Sequence, residues 1–373
     1  MRCASCSHEY PDSYKFCPAC GVAKDKAPHS SVIRASAQNG RAFFSKKRIV
    51  VAGCVVVAAI ALTLGLIFGL RDNGSKWNSL PALGSGNGNT TIDCLASDPA
   101  HGILYEGTGD SGVWRFNAGK WSAMGGPPAE RKILALTFDP RHSALYVGTD
   151  GLGVWKYQSG HWSDTHFILQ RAVALACDQK NSILYADGGV GIWELRNNSW
   201  SFTHGGYGMT ALTCGSDAVL YAGSTNQSPG VWAYRNGGWW SLNGPVSEPG
   251  ANETNGVGYE VNGIVCDPVS GALYAATSNQ GTWRCDNPST APAWTQIGMD
   301  SFGARSLFLD RGVLYAASDS GVFKYVGGKW SSMGWPGKGT VISIADGPGQ
   351  GGLCVLASHW QGGTLMFSTW QYK

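Results

Sequence analysis

Charge is scarce in this chain. Lys and Arg number 28 and Asp and Glu 25 among 373 residues, 14% of the whole, for a net charge of +3. The positive excess sits at one end: residues 1–48 carry nine Lys or Arg against three Asp or Glu, so the remainder is slightly acidic. A nearly neutral body excludes electrostatic capture of nucleic acid, which needs a concentrated basic patch. Catalytic signatures are missing too: there is no nucleophile elbow, no triad spacing and no kinase or nucleotide-binding motif. Long hydrophobic runs are absent except for one. What is abundant is Gly, Trp and Tyr, at 53, 16 and 14 residues. With so little charge, that composition favours short β-strands joined by tight turns over a helical protein.

A tryptophan followed by a small polar residue recurs down the chain, at Trp77-Asn78-Ser79, Trp121-Ser122, Trp162-Ser163, Trp200-Ser201, Trp240-Ser241, Trp294-Thr295 and Trp330-Ser331. Each of the later copies ends a unit of roughly forty residues, the period of a propeller blade. In the second unit Ile133–Asp139 alternates and ends at an Asp-Pro turn signal; Ala144–Thr149, Gly153–Tyr157 and the strand begun by Trp162-Ser163 follow. The Leu-Tyr mark of the second strand recurs at Tyr105, Tyr146, Tyr185, Tyr221, Tyr274 and Tyr315. The third-strand mark recurs at Trp114, Trp155, Trp193, Trp232, Trp283 and Phe323, with Leu365 as its seventh member. Trp77 has no unit in front of it, and the unit 340–372 lacks an outer strand of its own. The pattern predicts an all-β fold, a seven-bladed β-propeller over 76–373, closed by the N-terminal strand. The recurrent tryptophans read as packing between blades.

Ile49–Leu70 is the one long apolar run, 22 residues without a charge. As a helix it would span about 33 Å, close to the roughly 30 Å of bilayer hydrocarbon. It is too long and too far from the terminus for a cleaved signal peptide. Lys46, Lys47 and Arg48 flank its N-terminal side, against Arg71 and Lys76 offset by Asp72 on the other. The positive-inside bias predicts a single-pass cell-membrane anchor with residues 1–48 in the cytoplasm and the propeller extracytoplasmic.

Cys3-x2-Cys6 and Cys17-x2-Cys20 are two knuckles separated by ten residues. Four thiolates from such a pair can converge on one structural Zn2+ with no ligand position left open for catalysis, and the metal would supply the folding free energy of a domain this small. The reading is a zinc ribbon over 1–23, followed by a basic, flexible linker over 24–48. The segment CASCSHEYPDSYKFCPACG resembles the short zinc ribbons at the N-termini of many bacterial membrane proteins, which implies a protein-contact module. Cys177, Cys214 and Cys266 fall at equivalent strand positions and read as small core residues; Cys94, Cys285 and Cys354 leave disulfide pairing open.

The string DPRHSALYVGTDGLGVWKYQSGHWS resembles BNR-type and sortilin-like propeller repeats, including those in sialidases and photosystem assembly factors. The resemblance lies in Asp-Pro, Leu-Tyr-x-Gly-Thr and Gly-Val-Trp at fixed spacing, and covers essentially 76–373. The Asp-box turn of that group (Ser-x-Asp-x-Gly-x-Thr-Trp) is absent: Asn117–Trp121 and Gln158–Trp162 stand in its place. Sialidase chemistry is therefore not implied.

Aligned inner strands put Lys132, Arg171, Glu260 and Arg305 at equivalent starting positions of blades 2, 3, 5 and 6, with Thr91, Gly208 and Gly339 in the others. Charged groups around a concavity focus the field on a ligand, so an anion- or carbohydrate-binding channel mouth is expected there. The same face gathers His166, His204, Tyr207, Tyr259 and Trp335 from between-blade loops, with His359 and Trp360 from the last blade. Aromatics beside polar groups suit sugar or peptide recognition. The longest loops of this face, Ser224–Gly230 and Asn243–Gly258, mark a binding side. The expected function is thus a membrane-anchored module binding a glycan, peptide or protein, with cytoplasmic protein contact through the ribbon. The alternatives are an assembly scaffold for a membrane complex and, third, a carbohydrate-active enzyme. In the enzyme reading Glu260 would need a second carboxylate from Glu248, Glu253 or Asp93.

Overall fold

In the second repeat the alternating segment Ile133–Asp139 is followed by Ala144–Thr149, Val154–Gln158 and His161–Asp164, four antiparallel strands side by side in that order. This sheet is one of seven, all four-stranded. The computed structural model describes residues 76–83, 92–203, 208–224, 230–245, 260–278, 280–299, 303–335, 337, 339–348, 352–361 and 364–372. The four cysteines expected to hold zinc, the linker, the 49–70 run, Thr91, His204, Tyr207, Tyr259, Glu248, Glu253 and most of the loops 224–230 and 243–258 lie outside these residues. Among the described residues no helix is long and apolar enough to cross a membrane.

The other inner strands are Ile92–Asp98, Ala174–Asp178, Met209–Cys214, Val261–Cys266, Ala304–Asp310 and Thr340–Asp346. Each lies against the inner strand of the next blade, and the seventh lies against the first, which closes a ring. Blade 7 consists of Thr340–Asp346, Leu353–Gln361, Thr364–Tyr372 and, as its outer strand, Trp77–Ser79. Trp77 pairs with Tyr372 and Ser79 with Trp370, so main-chain hydrogen bonds from the N-terminal strand complete the last blade as the sequence predicts.

The repeated residues each have a local reason. At the turn between strands one and two an Asp carboxylate satisfies the turn's own donors. Asp139 accepts from Arg141 N at 2.9 Å and meets His142 Nδ1 at 2.6 Å; Asp178 accepts from Lys180 N at 2.9 Å and Asn181 Nδ2 at 2.8 Å. At the opposite end, the Thr or Ser closing strand two donates its hydroxyl to a carbonyl across the turn into strand three. The pairs are Thr108 to Gly112, Thr149 to Gly153, Ser224 to Gly230, Thr277 to Gly281 and Ser318 to Gly321, at 2.8, 2.9, 3.0, 2.9 and 3.2 Å. The glycine of Leu-Tyr-x-Gly-Thr lies against the next blade: a Cβ on Gly107 would stand 2.6 Å from Ile133 Cγ2, and one on Gly148 2.6 Å from the Ala172 carbonyl. Blade 3 departs from the pattern. Asp187 replaces that glycine, fully buried, and accepts from Gly189 N at 2.7 Å.

The blades are joined by a cycle of indole hydrogen bonds. Trp121, Trp162, Trp200, Trp239, Trp294 and Trp330 donate Nε1 to the carbonyls of Pro81, Met124, Thr165, Thr203, Leu242 and Ile297, each acceptor at or just past the end of the preceding blade's outer strand. Trp77 completes the cycle by donating to Met333 at 3.0 Å. Beneath these bonds each interface holds its own apolar cluster. Leu95, Leu104 and Phe116 of blade 1 pack on Ala345, Cys354 and Leu356 of blade 7, and the other six interfaces are filled in the same way. The hydrophobic core is therefore distributed around the ring, and burial of a side chain such as Leu104 contributes roughly 1.5–3 kcal/mol.

Two marks shift in register. In blade 4 the interface tryptophan is Trp239, opposite Tyr234, while Trp240 pairs with Ala233 one place further on. A Trp-Trp dipeptide offers both choices, and only pairing with strand three selects between them. In blade 7 the third-strand mark is Trp370, opposite Val355, and Leu365 instead pairs with Trp360. The cause is a longer middle hairpin: its two strands run nine residues each, against six in strand two of blade 2 and five in its strand three. None of the six described cysteines is in a disulfide, Cys94, Cys285 and Cys354 included. Burial pushes the Cys177 thiol up to about 12 and that of Cys266 to about 11, as fits inert core residues.

Candidate functional site on the hairpin face

Inner strands begin at the face where the turns between strands two and three emerge. The register there is set by a bulge: Ile133 pairs with Thr149 and Ala135 with Gly148, leaving Leu134 unpaired between them. Val261 and Ala304 hold the place of Ile133 in blades 5 and 6. Lys132 and Glu260 therefore occupy one position, immediately before the first paired residue, and Arg171 stands likewise before Ala172. Arg305 does not share it. It follows Ala304 and is the bulged residue of blade 6; Gly303 takes the equivalent place. The blade 7 equivalent is Thr340, since Val341, opposite Ala357, is the residue paired immediately before the bulge.

All four charged side chains are exposed, and the strand-two-to-three turns answer them. Arg171 Nε stands 3.9 Å from Asp150 Oδ1, and Arg305 Nε 2.7 Å from Asp319 Oδ1. Asp150 N donates to the Lys132 carbonyl at 2.9 Å. In blade 5, Ser278 Oγ donates to Glu260 Oε2 at 3.1 Å while Ser278 N donates to the Glu260 carbonyl at 3.1 Å. With half or more of the Arg171 and Asp150 side chains in water, that pair contributes under about 1 kcal/mol. Its effect is on the field: Asp150, Asp319 and Glu260 offset Lys132, Arg171 and Arg305. The rim alternates in sign instead of being a cationic ring.

The aromatic candidates separate. Trp335 is half-buried between blades 6 and 7, its ring 5.2 Å from Trp77 and 5.4 Å from Trp370, edge-on to both, so it packs the closing interface. Trp360 is 73% exposed near the tip of the long hairpin. His359 sits beside it, opposite Met366. His166 is exposed, 3.4 Å from Asp164. Two exposed residues were not singled out by the sequence: Ile168, in the loop between blades 2 and 3, and Val190, in the turn of blade 3. The signal for Ile168 is the triplet Phe167-Ile168-Leu169, whose outer members enter the interface cluster while the middle one faces water.

On the opposite, turn face the described residues enclose cavities. One of about 250 Å³ lies between blades 3 and 4, and one of about 210 Å³ between blades 2 and 3. Neither was expected, because their lining comes from tyrosines and charged residues that read as ordinary strand positions.

No family model matches the chain, and no curated protein matches it. Solved structures do resemble it. The extracellular domain of a hybrid two-component system from B. thetaiotaomicron aligns at 16% identity with a TM-score of 0.60, over 79% of this chain and 39% of that one. U3-55K aligns at 12% identity and a TM-score of 0.61, over 80% and 99% of the two chains. A chain of the mitotic checkpoint complex aligns at 16% identity and a TM-score of 0.53, over 90% and 98%. This chain spans about two fifths of the length of the first. At these identities the likeness establishes the propeller fold.

Proposed function

We propose that the protein is a membrane-anchored, extracytoplasmic binding module whose ligand face is the hairpin face of the propeller, and that its ligand is a glycan or peptide. The observation that carries this reading is Trp360, 73% exposed near the tip of the blade 7 hairpin on the face that bears Lys132, Arg171, Glu260 and Arg305. A rim of alternating sign beside an exposed indole suits a neutral, polar chain of sugars or peptide groups better than a polyanion. The blades beneath form a uniform support, so changes confined to the turns would alter recognition without altering the ring.

The anchor is the 49–70 run, and Cys3, Cys6, Cys17 and Cys20 would hold a structural Zn2+ in the cytoplasm, where the ribbon would contact another protein. The chain enters the ring at Trp77, opposite Tyr372 at the turn-face end of blade 7, and runs toward the hairpin face. The first strand of the ring thus begins at the end of the blade opposite the ligand face.

Full-length protein in lipid nanodiscs, probed on glycan and peptide arrays, tests the proposal. Binding of a defined glycan or peptide that weakens at least tenfold in Lys132→Ala/Arg171→Ala, about 1.4 kcal/mol, supports it. Unchanged binding in that variant would remove the site from this face. Hydrolysis of an arrayed polysaccharide would replace the binding reading with an enzymatic one.

A further inference from the structure

On the turn-face side one pairing recurs in four blades, while blade 4 has Tyr221 opposite Ala233 and blade 7 has Cys354 opposite Gln371. The tyrosine of strand two faces a cation across strand three: Tyr105 pairs with Arg115, Tyr146 with Lys156, Tyr274 with Arg284 and Tyr315 with Lys324. Where the geometry brings the cation over the ring, Lys156 Nζ lies 5.9 Å from the Tyr146 centroid and Arg284 Cζ 5.8 Å from that of Tyr274. This is the distance at which a ring's quadrupole attracts a positive charge. In blade 3 the same position holds a carboxylate: Tyr185 pairs with Glu194.

The cavity of about 250 Å³ lies at this carboxylate. Tyr185 and Tyr234 form its aromatic side, their rings 6.1 Å apart at 82°, and only 3% and 5% of these residues is exposed. The Glu194 side chain is 16% exposed, its Oε2 3.5 Å from the Tyr234 hydroxyl. Arg196 stands 3.9 Å from Glu194 Oε1, too far for a hydrogen bond, and is itself half in water. Arg235 and Asn236 complete the lining used here. Two phenol rings and a carboxylate thus stand together without the close cation that their counterparts have in blades 2 and 5.

We propose that this cavity binds a free α-amino acid, whose ammonium group takes the place of the missing cation while its carboxylate meets Arg196 and Arg235. The lining charges exclude simpler ligands. A bare anion would meet Glu194, and a bare cation would meet two guanidinium groups at the rim. A zwitterion answers both, with its ammonium against Glu194 and the faces of Tyr185 and Tyr234. The volume admits one small molecule. The site is on the face opposite the proposed glycan or peptide site and shares no residue with it.

Isothermal titration calorimetry on the detergent-solubilised full chain tests this, with L-alanine, L-leucine and L-arginine as probes and propylamine and propionate as singly charged controls. At least one amino acid should bind saturably, and both controls at least tenfold more weakly. Glu194→Gln should weaken binding at least tenfold, about 1.4 kcal/mol. Glu194→Lys installs the residue class of blades 1, 2, 5 and 6; it should abolish binding while leaving the unfolding temperature equal to or above wild type, which separates loss of the site from loss of the fold. Lys132→Ala/Arg171→Ala should bind amino acids as wild type does. Absence of saturable binding by all three amino acids up to about 10 mM, weaker than the roughly −4 kcal/mol of a millimolar complex, would overturn the proposal. Unaltered binding in Glu194→Lys would do so too.

Discussion

The Trp77 indole donates to the Met333 carbonyl at 3.0 Å, joining two residues 256 positions apart. It is the same bond that six other outer-strand tryptophans make, yet it alone joins the first described strand to the sixth blade. Trp77 also packs edge-on against Trp335 and Tyr372, at 5.2 and 5.0 Å. Ring closure therefore rests on main-chain pairing, one indole bond and one aromatic cluster.

Trp77→Phe should remove the indole bond while keeping much of the packing, at a cost of about 1 kcal/mol. Trp77→Ala should lose the packing as well and cost about 3–5 kcal/mol. Thermal or urea unfolding reads both. Equal and small effects would mean that the N-terminal strand adds little to closure.

Gly126 has φ of 78°, and a Cβ there would stand 2.2 Å from Trp162 Cδ1. Gly126→Ala should therefore destabilise the interface between blades 1 and 2 by about 1–3 kcal/mol through overpacking alone, with further cost from the left-handed backbone. A denaturation midpoint unchanged from wild type would contradict this.

Glu106 is the polar exception at a position occupied by Val147, Ala186, Ala222, Ala275, Ala316 and Val355 in the other blades. It is fully buried at the interface of blades 1 and 7 and accepts a hydrogen bond from Thr369, and its charge helps hold the Cys354 thiol protonated. Burial pushes its carboxyl up from 4.5 to about 8, only partly offset by the Thr369 hydroxyl. A folded-state value above the unfolded one means the contribution is intact below 4.5 and is lost progressively as pH rises through about 8. The loss is at most about 1.4 kcal/mol per pH unit. Asp187, raised to about 6 by burial, adds to the slope between 3.8 and 6. Glu106→Gln should flatten the fall between pH 6 and 8 in a denaturation series and leave the profile near pH 4 unchanged. An equal slope in wild type and variant would sink this account.

The six described cysteines should all be titrated as free thiols after denaturation, with Cys285 and Cys354 protected in the native fold. Mass spectrometry after alkylation, with and without reductant, checks this. Elemental analysis of the full chain should return about one zinc per molecule, lost in Cys3→Ser/Cys17→Ser. A metal content unaffected by that variant would exclude the ribbon cysteines as ligands.

Much of the ring was legible because its chemistry repeats. Asp-Pro turns, the Gly-Thr ending of strand two and one interface tryptophan per blade each answer a local requirement, so the strands of blade 2 follow from Ile133–Thr149 almost residue for residue. Legibility failed where pairing decides and composition does not. Trp239 and Trp240 are adjacent indoles distinguished by their partners across strand three. Leu365 and Trp370 are confused because the hairpin lengthens without changing the unit's total length. Arg305 is off the shared position because pairing with strand two puts it in the bulge, the place that Leu134 holds in blade 2 and Asn262 in blade 5. Glu194 was passed over for a related reason: its meaning comes from comparison with Arg115, Lys156, Arg284 and Lys324 at the same register.

The central functional claim is that recognition occurs on the hairpin face. Its most direct test is the affinity of the best array ligand for Trp360→Ala and, as a control on the opposite face, for Val269→Ala, where Val269 is 94% exposed in a strand-one-to-two turn. Measured with full-length protein in nanodiscs, Trp360→Ala should weaken binding at least tenfold, about 1.4 kcal/mol, while Val269→Ala leaves it unchanged. Equal affinities for wild type and Trp360→Ala, or a loss confined to Val269→Ala, would contradict the assignment.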